Sequence, residues 1–585
     1  MDRRSSRTRR PLGDTQPVRS QVHHTTGEPT LRIIPLGGLG ETGGRNMTLF
    51  EYNDKILVID MGLQFPEGDM PGIDYIIPNA SYITDNPHKE VVGVAITHGH
   101  LDHFGAVAHL IDKIGKPPIF CGQLTKALIL KRQTDHPQSS LPDITAVKRR
   151  EVIKLPPFEI EFFHINHSIP DSFGIVLRTP DGNTIVHTGD FKFDPDPVGD
   201  TPADFEHIEQ IGKRGVTLLM SDSTNAEAPG LSIPETVVQK NLGDLISKAP
   251  GRVIAGTFGS LLSRVQEFIY IAEEQGRYIA FDGYTMKTNV EIAKEFGYLK
   301  VQRGTIIPIK DVNDYPDNKV LVVCTGAQGE GEAVLMRIAT GEHRSVQIHK
   351  NDSVIFSSSS IPGNERDIQG LKDSLSRRGA EIYDSRYMDI HTSGHARAED
   401  LKKMIELTKP KYLFPIQAQH FMRRAHAKLG YAMGIPEENV ILGDNGEVCT
   451  LDKNHTFHTT KERVNVGYVL VDGLGVGDVG QVVLRDRQAL ASDGMMVVIA
   501  VVDGQTGKVV GNPDIISRGF IYLRESKAML GDVRKRSKAI IENATGQQDA
   551  TNWEYVKENM RDQLGKLLFD KTQRRPMVLP VVIEV

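Results

Sequence analysis

The chain has 585 residues, a hydrophobic content of 39% and a formal net charge of −6. This length allows about four domains, and the composition is typical of a globular α/β protein. The mild acidity excludes nucleic-acid binding through overall positive charge, so any contact with nucleic acid has to be local. The three cysteines, Cys121, Cys324 and Cys449, are far apart in sequence and indicate neither a disulfide framework nor a cysteine-rich metal site.

The chain carries no sign of a membrane or export signal. No apolar stretch reaches the length of a transmembrane helix, and the N-terminus lacks an apolar signal core. We therefore expect a cytoplasmic location and no membrane partner.

The first 28 residues differ in composition from the rest of the chain. They contain six arginines and almost no large apolar side chain. Such a segment cannot bury enough surface to fold, so it is predicted to be a disordered basic arm. The arm could touch RNA phosphates or be an inert tail, and the sequence supports both equally.

A glycine loop follows at Gly38 to Gly43 and matches the dinucleotide pattern G-x-G-x-x-G. That pattern requires a helix directly after the glycines. Here NMTLFEY and KILVID follow instead, separated by the turn-like pair Asn53-Asp54, and they predict a β-hairpin. The sequence therefore argues against a nicotinamide site.

The densest chemical signal is the stretch VGVAITHGHLDHFGAV. An apolar run, Val91 to Ile96, predicts a buried strand, and His98, His100, Asp102 and His103 follow at its end. Three imidazoles and a carboxylate suit zinc or a similar divalent metal. One ion can take His98 and His100, while Asp102 and His103 point toward a second site. A solvated histidine-rich loop fits less well, because the preceding strand is so apolar.

Two later segments offer the ligands that this cluster lacks. FFHINHSIPDS carries His164 and His167, and TIVHTGDFKFD carries His187 and Asp190. His164 and His187 read as partly buried strand residues. His167 and Asp190 lie in turns that could reach the metals, and an aspartate can bridge two cations with its two oxygens.

Six motifs in this order resemble the ribonuclease J family, β-CASP members of the metallo-β-lactamase-fold nucleases. They are THGHLDH, NHSIPDS, HTGDFKFD, SDSTNAE, SSSSIPGNE and HTSGH. The resemblance runs from about residue 29 to the C-terminus and includes VLVDGLGVGDVG and PDIISRGFIYLRES. It implies an α/β fold: a metallo-β-lactamase αββα sandwich, an inserted β-CASP α/β domain and a small α/β C-terminal domain. It also places Asp60 and the glycine loop near the metal site.

The expected domain boundaries follow from the same comparison. Residues 1–28 form the arm, 29–230 the first part of the metallo-β-lactamase domain and 231–382 the β-CASP domain. Residues 383–460 return to the first domain and include a linker, and 461–585 form the C-terminal domain, which is linked to dimerisation in this family.

The resemblance implies roles for the site residues. Up to two Zn²⁺ ions, with Mn²⁺ or Mg²⁺ possible, would be held by His98, His100, Asp102, His103, His167 and Asp190. Asp102 would orient or deprotonate the attacking water, and His395 would protonate the departing oxygen. Asp222 would support the site. The substrate phosphate would be held by HTSGH, that is by His391, Thr392, Ser393, Gly394 and His395. A helix N-cap is the simpler interpretation of HTSGH, and the two are compatible.

Several positions depart from the family pattern. Gln417 stands where the family has a histidine that ligates the second metal, and a neutral amide is a poor zinc ligand. His420 would need a shift of the loop to replace it. Leu261 and Ser263 stand where the family usually has polar Asn and His in a segment facing RNA. Milder changes occur beside the metal motif, at Leu101 and Phe104.

These patterns predict a metal-dependent ribonuclease acting in RNA maturation and decay. The resemblance implies 5′-to-3′ exonuclease action with some endonuclease action, a homodimer or homotetramer, and possible RNA-decay partner proteins. One alternative is a catalytically impaired paralogue that acts as an RNA- or nuclease-binding subunit. Another is a small-molecule metallohydrolase of the same fold, against which the β-CASP motifs argue.

Overall fold

The computed structural model describes residues 30–521, 526–545 and 552–585, so the predicted arm at 1–28 lies outside the described residues. The described chain forms two compact units. The first comprises the described residues up to Gln64 together with Ile77–Tyr468, and the second comprises Phe65–Ile76 and Val469–Val585. The domain boundaries expected from the sequence stay predictions.

The first unit contains an eight-stranded sheet in which the predicted hairpin is confirmed. With elements numbered along the chain, the strands of this sheet are β1 (Leu31–Gly37), β2 (Met47–Tyr52), β3 (Lys55–Ile59), β5 (Glu90–Ala95), β6 (Ile119–Cys121), β7 (Ile144–Ala146), β19 (Glu447–Leu451) and β20 (Phe457–Arg463). Strands β2 and β3 pair antiparallel, and β3, β5, β6 and β7 continue in parallel. The helices between them are α1 (Ser81–Thr84), α2 (Leu101–Phe104), α3 (Val107–Leu110) and α4 (Gln123–Gln133).

A six-stranded sheet belongs to the same unit, and one apolar core joins it to the first sheet. Its strands are β8 (Val152–Leu155), β9 (Phe158–His164), β10 (Phe173–Arg178), β11 (Thr184–His187), β12 (Leu218–Asp222) and β18 (Tyr412–Ile416). Phe50 and Leu57 of the first sheet share a buried cluster with Phe162 and Phe414 of the second. The other face of the second sheet packs against α5 (Phe205–Lys213), α11 (Ala398–Thr408) and α12 (His420–Ala432).

A five-stranded parallel sheet is inserted between β12 and β18. Its order is β14-β15-β13-β16-β17, with β13 (Val253–Gly256), β14 (Tyr278–Asp282), β15 (Val320–Cys324), β16 (Ser353–Phe356) and β17 (Glu381–Tyr383). The helices are α6 (Glu235–Lys248), α7 (Leu262–Glu274), α8 (Tyr284–Glu295), α9 (Val334–Thr340) and α10 (Glu365–Arg377). Its central strands are apolar on both faces, as a covered parallel sheet requires. Short 3₁₀ helices lie at Ile309–Asp314 and Asp317–Lys319, and a third follows α12 at Glu437–Asn439.

The second unit is a small α/β domain. Its elements are β4 (Tyr75–Ile77), β21 (Val469–Asp472), β22 (Gly475–Val476), α13 (Gln481–Asp493), β23 (Met495–Val502), β24 (Asp514–Arg518), α14 (Lys527–Thr545), α15 (Trp553–Thr572) and β25 (Met577–Glu584). β23 pairs antiparallel with β24 and parallel with β25. Helices α14 and α15 share a core with one face of this sheet. In the described ranges, no helix is both long and apolar enough to cross a bilayer.

Candidate active site

Strands of the two facing sheets deliver the candidate residues at their ends. His98 follows β5, Asp190 follows β11, Asp222 ends β12 and Gln417 follows β18. These strands are apolar and buried, and polar side chains appear where the backbone leaves the core at the end of each strand. Residues from distant parts of the sequence therefore meet at the edge of the sandwich.

Three histidines lie together as the sequence predicted for a first metal. Nε2 of His98 and Nε2 of His167 are each 3.1 Å from Nδ1 of His100. Burial lowers the pKa of all three, to about 3 for His100. They are therefore neutral at neutral pH, which is the form that binds metal.

Asp190 lies at the centre of the cluster. Its Oδ2 is 3.2 Å from Nε2 of His103, 4.0 Å from Nε2 of His98 and 3.9 Å from Nδ1 of His395. Burial alone would raise the pKa of Asp190, but the neighbouring imidazoles, His103 above all, hold it well below its usual value. The Asp190 carboxylate is thus within reach of three imidazoles, and that it bridges two cations stays a prediction.

Asp102 and His103 lie within the short helix α2, close to Asp190. Oδ2 of Asp102 is 3.5 Å from Nε2 of His103. Burial raises the pKa of Asp102 to about 6, although His103 opposes the shift. Asp102 is thus close to the metal-binding groups but remains partly exposed, which suits a role toward water.

The donor set fits divalent metal ions. Nε2 of His100 and Oδ1 of Asp190 are buried and have no hydrogen-bond partner in the part of the chain that the structure describes. Buried polar atoms without partners are costly unless another group satisfies them. Among the described residues of this cluster, three combinations of side chains have ligand atoms within 4.8 Å of one another: His98, His100 and His167; His98, His103 and Asp190; His167, Asp190 and His395.

Side chains that contact the histidine rings of the cluster fix the orientation of those rings. Two of these side chains belong to no sequence motif that predicted them. Nδ1 of His103 is 2.7 Å from Oδ2 of Asp60, and Thr97 Oγ1 contacts both Asp60 and Nδ1 of His98. Asn46 Nδ2 lies 3.1 Å from Nε2 of His103. Outer partners of this kind set the tautomer and direction of metal-ligating histidines. The resemblance pointed to Asp60, whereas Asn46 and Thr97 were missed.

His395 is paired with Asp222. Nδ1 of His395 is 2.8 Å from Oδ2 of Asp222, whose other oxygen accepts hydrogen bonds from the backbone and hydroxyl of Thr224. Burial would lower the pKa of His395, but the Asp222 carboxylate and other nearby acids raise it to about 9. The imidazole is therefore oriented by one carboxylate and favours its protonated form.

The HTSGH segment contacts His167, one of the three histidines predicted to bind the first metal. Nδ1 of His167 is 2.7 Å from the carbonyl oxygen of Gly394, and a Cβ at this glycine would lie 2.7 Å from the His167 ring. Ser393 Oγ accepts a hydrogen bond from the backbone of His395. Thr392 is buried, and burial lowers the pKa of His391 to about 3. α11 begins at Ala398, so HTSGH precedes that helix.

The inserted domain holds the same segment from the other side. The fully buried Arg264 of α7 donates to the carbonyl oxygen of Ile390 and to Ser357 Oγ, both at 2.7 Å. It also pairs with Glu235 at 2.6 Å. The residue before His391 is thus anchored by a charged side chain of the inserted domain.

The positions that depart from the family pattern have defined surroundings. Gln417 has a φ of 55° and is buried, and its Oε1 has no hydrogen-bond partner among the described residues. It lines a small cavity with Asn46, Asp60 and His187. His420 is exposed at the start of α12 and belongs to none of the close ligand groups formed by the described residues.

Two further departures lie at the start of α7 in the inserted domain. Leu261 is buried, and Ser263 Oγ donates to the carbonyl oxygen of Ser168, the neighbour of His167.

His164 and His187 are buried strand residues, as expected: His164 contacts the carbonyl oxygen of Thr201 at 2.9 Å.

Comparison with known proteins identifies the family. The description "Ribonuclease J, beta-CASP domain" matches residues 250–375, and "Ribonuclease J C-terminal domain" matches 482–585. "Metallo-beta-lactamase superfamily" matches 40–228, and "Zn-dependent metallo-hydrolase RNA specificity domain" matches 386–441. Ribonuclease J 2 of Staphylococcus aureus is 38% identical over 555 residues, 95% of this chain and 98% of that protein. The chain belongs to the ribonuclease J family.

Other relatives agree with this family. Ribonuclease J 2 of Staphylococcus saprophyticus is 37% identical over the same share of each chain. A solved protein of unknown function from Enterococcus faecalis matches with a TM-score of 0.53 at 19% identity, covering 72% of this chain and all of that one, which supports the fold alone. The fold class predicted from the sequence is confirmed, and the family is one of metal-dependent ribonucleases.

Proposed function

We propose that this metal-dependent ribonuclease removes nucleotides from RNA in the 5′-to-3′ direction, with some endonuclease action, in RNA maturation and decay. The observation that carries the hydrolytic part of the proposal is the placement of the His395–Asp222 pair next to Asp190, 3.9 Å from His395 Nδ1 to the carboxylate; the direction of cleavage rests on the family resemblance. A proton donor thereby stands beside a metal-binding cluster. This is the arrangement that phosphodiester hydrolysis needs.

The metal ions have two sets of ligands in this proposal. His98, His100 and His167 would hold the first, with Asp190 shared, and their imidazole nitrogens suit Zn²⁺. Asp102, His103 and Asp190 would hold the second, and their oxygen-rich set would also suit Mn²⁺ or Mg²⁺. Bound divalent metal supplies Lewis-acid activation of water and neutralises charge on the phosphodiester.

The chain's own residues perform the proton transfers. Asp102 orients the attacking water and accepts its proton, and His395 donates a proton to the departing oxygen. Asp222 orients the His395 imidazole and supports its protonated form. His391, Thr392, Ser393, Gly394 and His395 hold the substrate phosphate. Arg264 supports this segment through Ile390.

A catalytically impaired paralogue remains the second candidate, because of Gln417. The buried amide oxygen stands where the family has an imidazole ligand, and an amide binds zinc weakly. In this case the chain would bind RNA or a partner nuclease and cut slowly.

The second unit supports self-association as a homodimer or homotetramer. Leu579, Val581 and Ile583 of β25 are between 38% and 46% exposed, on the side of the strand away from the buried Val578. Exposed apolar rows of this kind mark association surfaces.

A cytoplasmic location agrees with RNA as the substrate and with three buried free cysteines. RNA-decay proteins would be available there as partners.

A digest of 5′-labelled and internally labelled RNA tests the proposal. We expect mononucleotide release from the labelled 5′ end, faster for a 5′-monophosphate than for a 5′-triphosphate, with a minor set of internal cuts. Chelation should abolish all products. RNA that stays intact while binding is retained would identify the impaired paralogue. Internal products alone would contradict the exonuclease assignment.

A further inference from the structure

The exposed face of α12 is a feature that the proposed chemistry does not use. The helix begins at His420, three residues after Gln417, so it starts beside the candidate active site. Resting on the proposed function, we infer that Phe421, Arg424, Lys428 and Tyr431 form a basic–aromatic face that binds single-stranded RNA beyond the site of cleavage.

These four residues share one side of the helix. Their spacings of three, four and three residues bring them onto one stripe at 3.6 residues per turn. Phe421 is 55% exposed and Tyr431 is 38% exposed, and both basic residues are exposed. The opposite side of α12 is buried, with Arg423, His426 and Gly430 facing the protein.

The positive charge on this face is not neutralised. The segment from Tyr412 to Pro436 contains no acidic residue, in a chain whose net charge is −6. Within the described residues, neither Arg424 nor Lys428 has an ion pair. The neighbouring α11 is different, because Lys402 pairs with Glu399 at 2.8 Å and Lys403 pairs with Glu406 at 3.0 Å.

Unpaired cations flanked by exposed aromatic rings suit single-stranded nucleic acid. Lysine and arginine attract phosphates, and exposed aromatic rings stack on bases whatever their identity. A helix of 13 residues is about 20 Å long, enough to follow several nucleotides. An acidic protein partner would use the two cations but gives no reason for exposed aromatic rings at both ends of the stripe.

The test compares RNA of increasing length. The variants are Phe421→Ala and the double change Arg424→Gln with Lys428→Gln, and Lys403→Gln on α11 is the matched control. kcat/KM is measured for single-stranded oligonucleotides of each length over a range of KCl concentrations. Phe421→Ala should lower kcat/KM for long RNA about 5- to 150-fold, the usual effect of one lost stacking contact. The loss should be smaller for RNA too short to reach the helix.

The charge variant should change the salt dependence. Two lost phosphate contacts reduce the slope of log(kcat/KM) against log[KCl] by about 1.4 in magnitude, at about 0.7 per contact for single strands. Lys403→Gln should leave slope and activity as in the wild type. Equal losses at every RNA length, or an unchanged slope, would overturn the RNA-binding face and favour a protein partner. Wild-type protein that cleaves no RNA would instead contradict the proposed function.

Discussion

At the scale of single residues, His395 and Asp222 carry the proton-transfer part of the account. The 2.8 Å contact orients the imidazole, and the carboxylate favours its protonated form. A general acid contributes mainly in the transition state, so its loss affects the chemical rate more than substrate binding.

His395→Ala should therefore lower the single-turnover rate on bound RNA by about 10²- to 10⁴-fold. RNA affinity should fall much less. Rapid-quench kinetics with excess protein gives both quantities, and His88→Ala at an exposed position is the control. A normal single-turnover rate together with collapsed binding would show that His395 holds the substrate and does not donate the proton.

We expect Gln417 to weaken the binding of a second metal. Asp102, His103 and Asp190 remain, but the usual imidazole is missing, and losses around a metal commonly cost about 10- to 100-fold in affinity or activity. We expect the purified protein to hold closer to one tight metal than two. Gln417→His should raise metal content and cleavage rate together, as measured by elemental analysis and RNA digestion.

The neighbouring change Gln419→His is the matched control for this experiment, since Gln419 is exposed just before α12. It should alter neither quantity. Wild-type protein that already carries two tight metals, unaffected by Gln417→His, would contradict this prediction and point to another replacement ligand.

At the scale of elements, strand β9 is joined to α5 through a buried carboxylate. Glu161 accepts hydrogen bonds from His207 at 2.6 Å, Arg214 at 3.0 Å and Arg178 at 2.5 Å. Burial would raise the pKa of Glu161, but these three partners lower it well below its usual value. The folded protein therefore holds the ionised form more strongly than the unfolded chain does.

This difference predicts a pH-dependent contribution to stability. The contribution is complete above the unfolded pKa of about 4.3 and is lost as the pH falls toward the lower folded value. The gap in melting temperature between wild type and Glu161→Gln should thus be largest above about pH 5 and shrink toward pH 3. Glu159→Gln, on the same strand but more exposed, should show a smaller gap. A gap that does not change with pH would contradict the role of the ionised carboxylate.

Local sequence patterns predicted some of the elements and site residues. The residues that these patterns missed owe their role to tertiary contacts. The β2–β3 hairpin followed from two apolar runs around a turn, and His98, His100 and His103 followed from one short motif after a strand. Asn46 lies 57 positions before His103, and its contact arises only when β2 pairs with β3 and the chain returns. A single asparagine in a loop gives no local pattern. Arg264 was missed because a single arginine in a helical segment gives no local sign of burial, whereas in the structure this side chain is fully buried.

At the scale of the whole molecule, we expect the second unit to provide the surface through which copies of the chain associate. Val581→Asp places a charge on the apolar row of β25 and should shift the protein toward monomer, because burying an unpaired carboxylate is costly. Analytical ultracentrifugation over a concentration series measures the change. Leu474→Asp, at an exposed turn of the same unit, should leave the assembly unchanged. A monomeric wild type, or a Val581→Asp protein of unaltered size, would contradict this assignment.

The central claim is that one buried histidine cluster holds the metal on which RNA cleavage depends. The most direct test is the cleavage rate of 5′-monophosphorylated RNA by wild type and His98→Ala, each stripped of metal and then reloaded with Zn²⁺ or Mn²⁺. The wild type should lose activity on stripping and recover it on reloading. His98→Ala should stay folded, bind less metal and recover little activity at any metal concentration. Full recovery of cleavage by a folded His98→Ala protein would contradict the account.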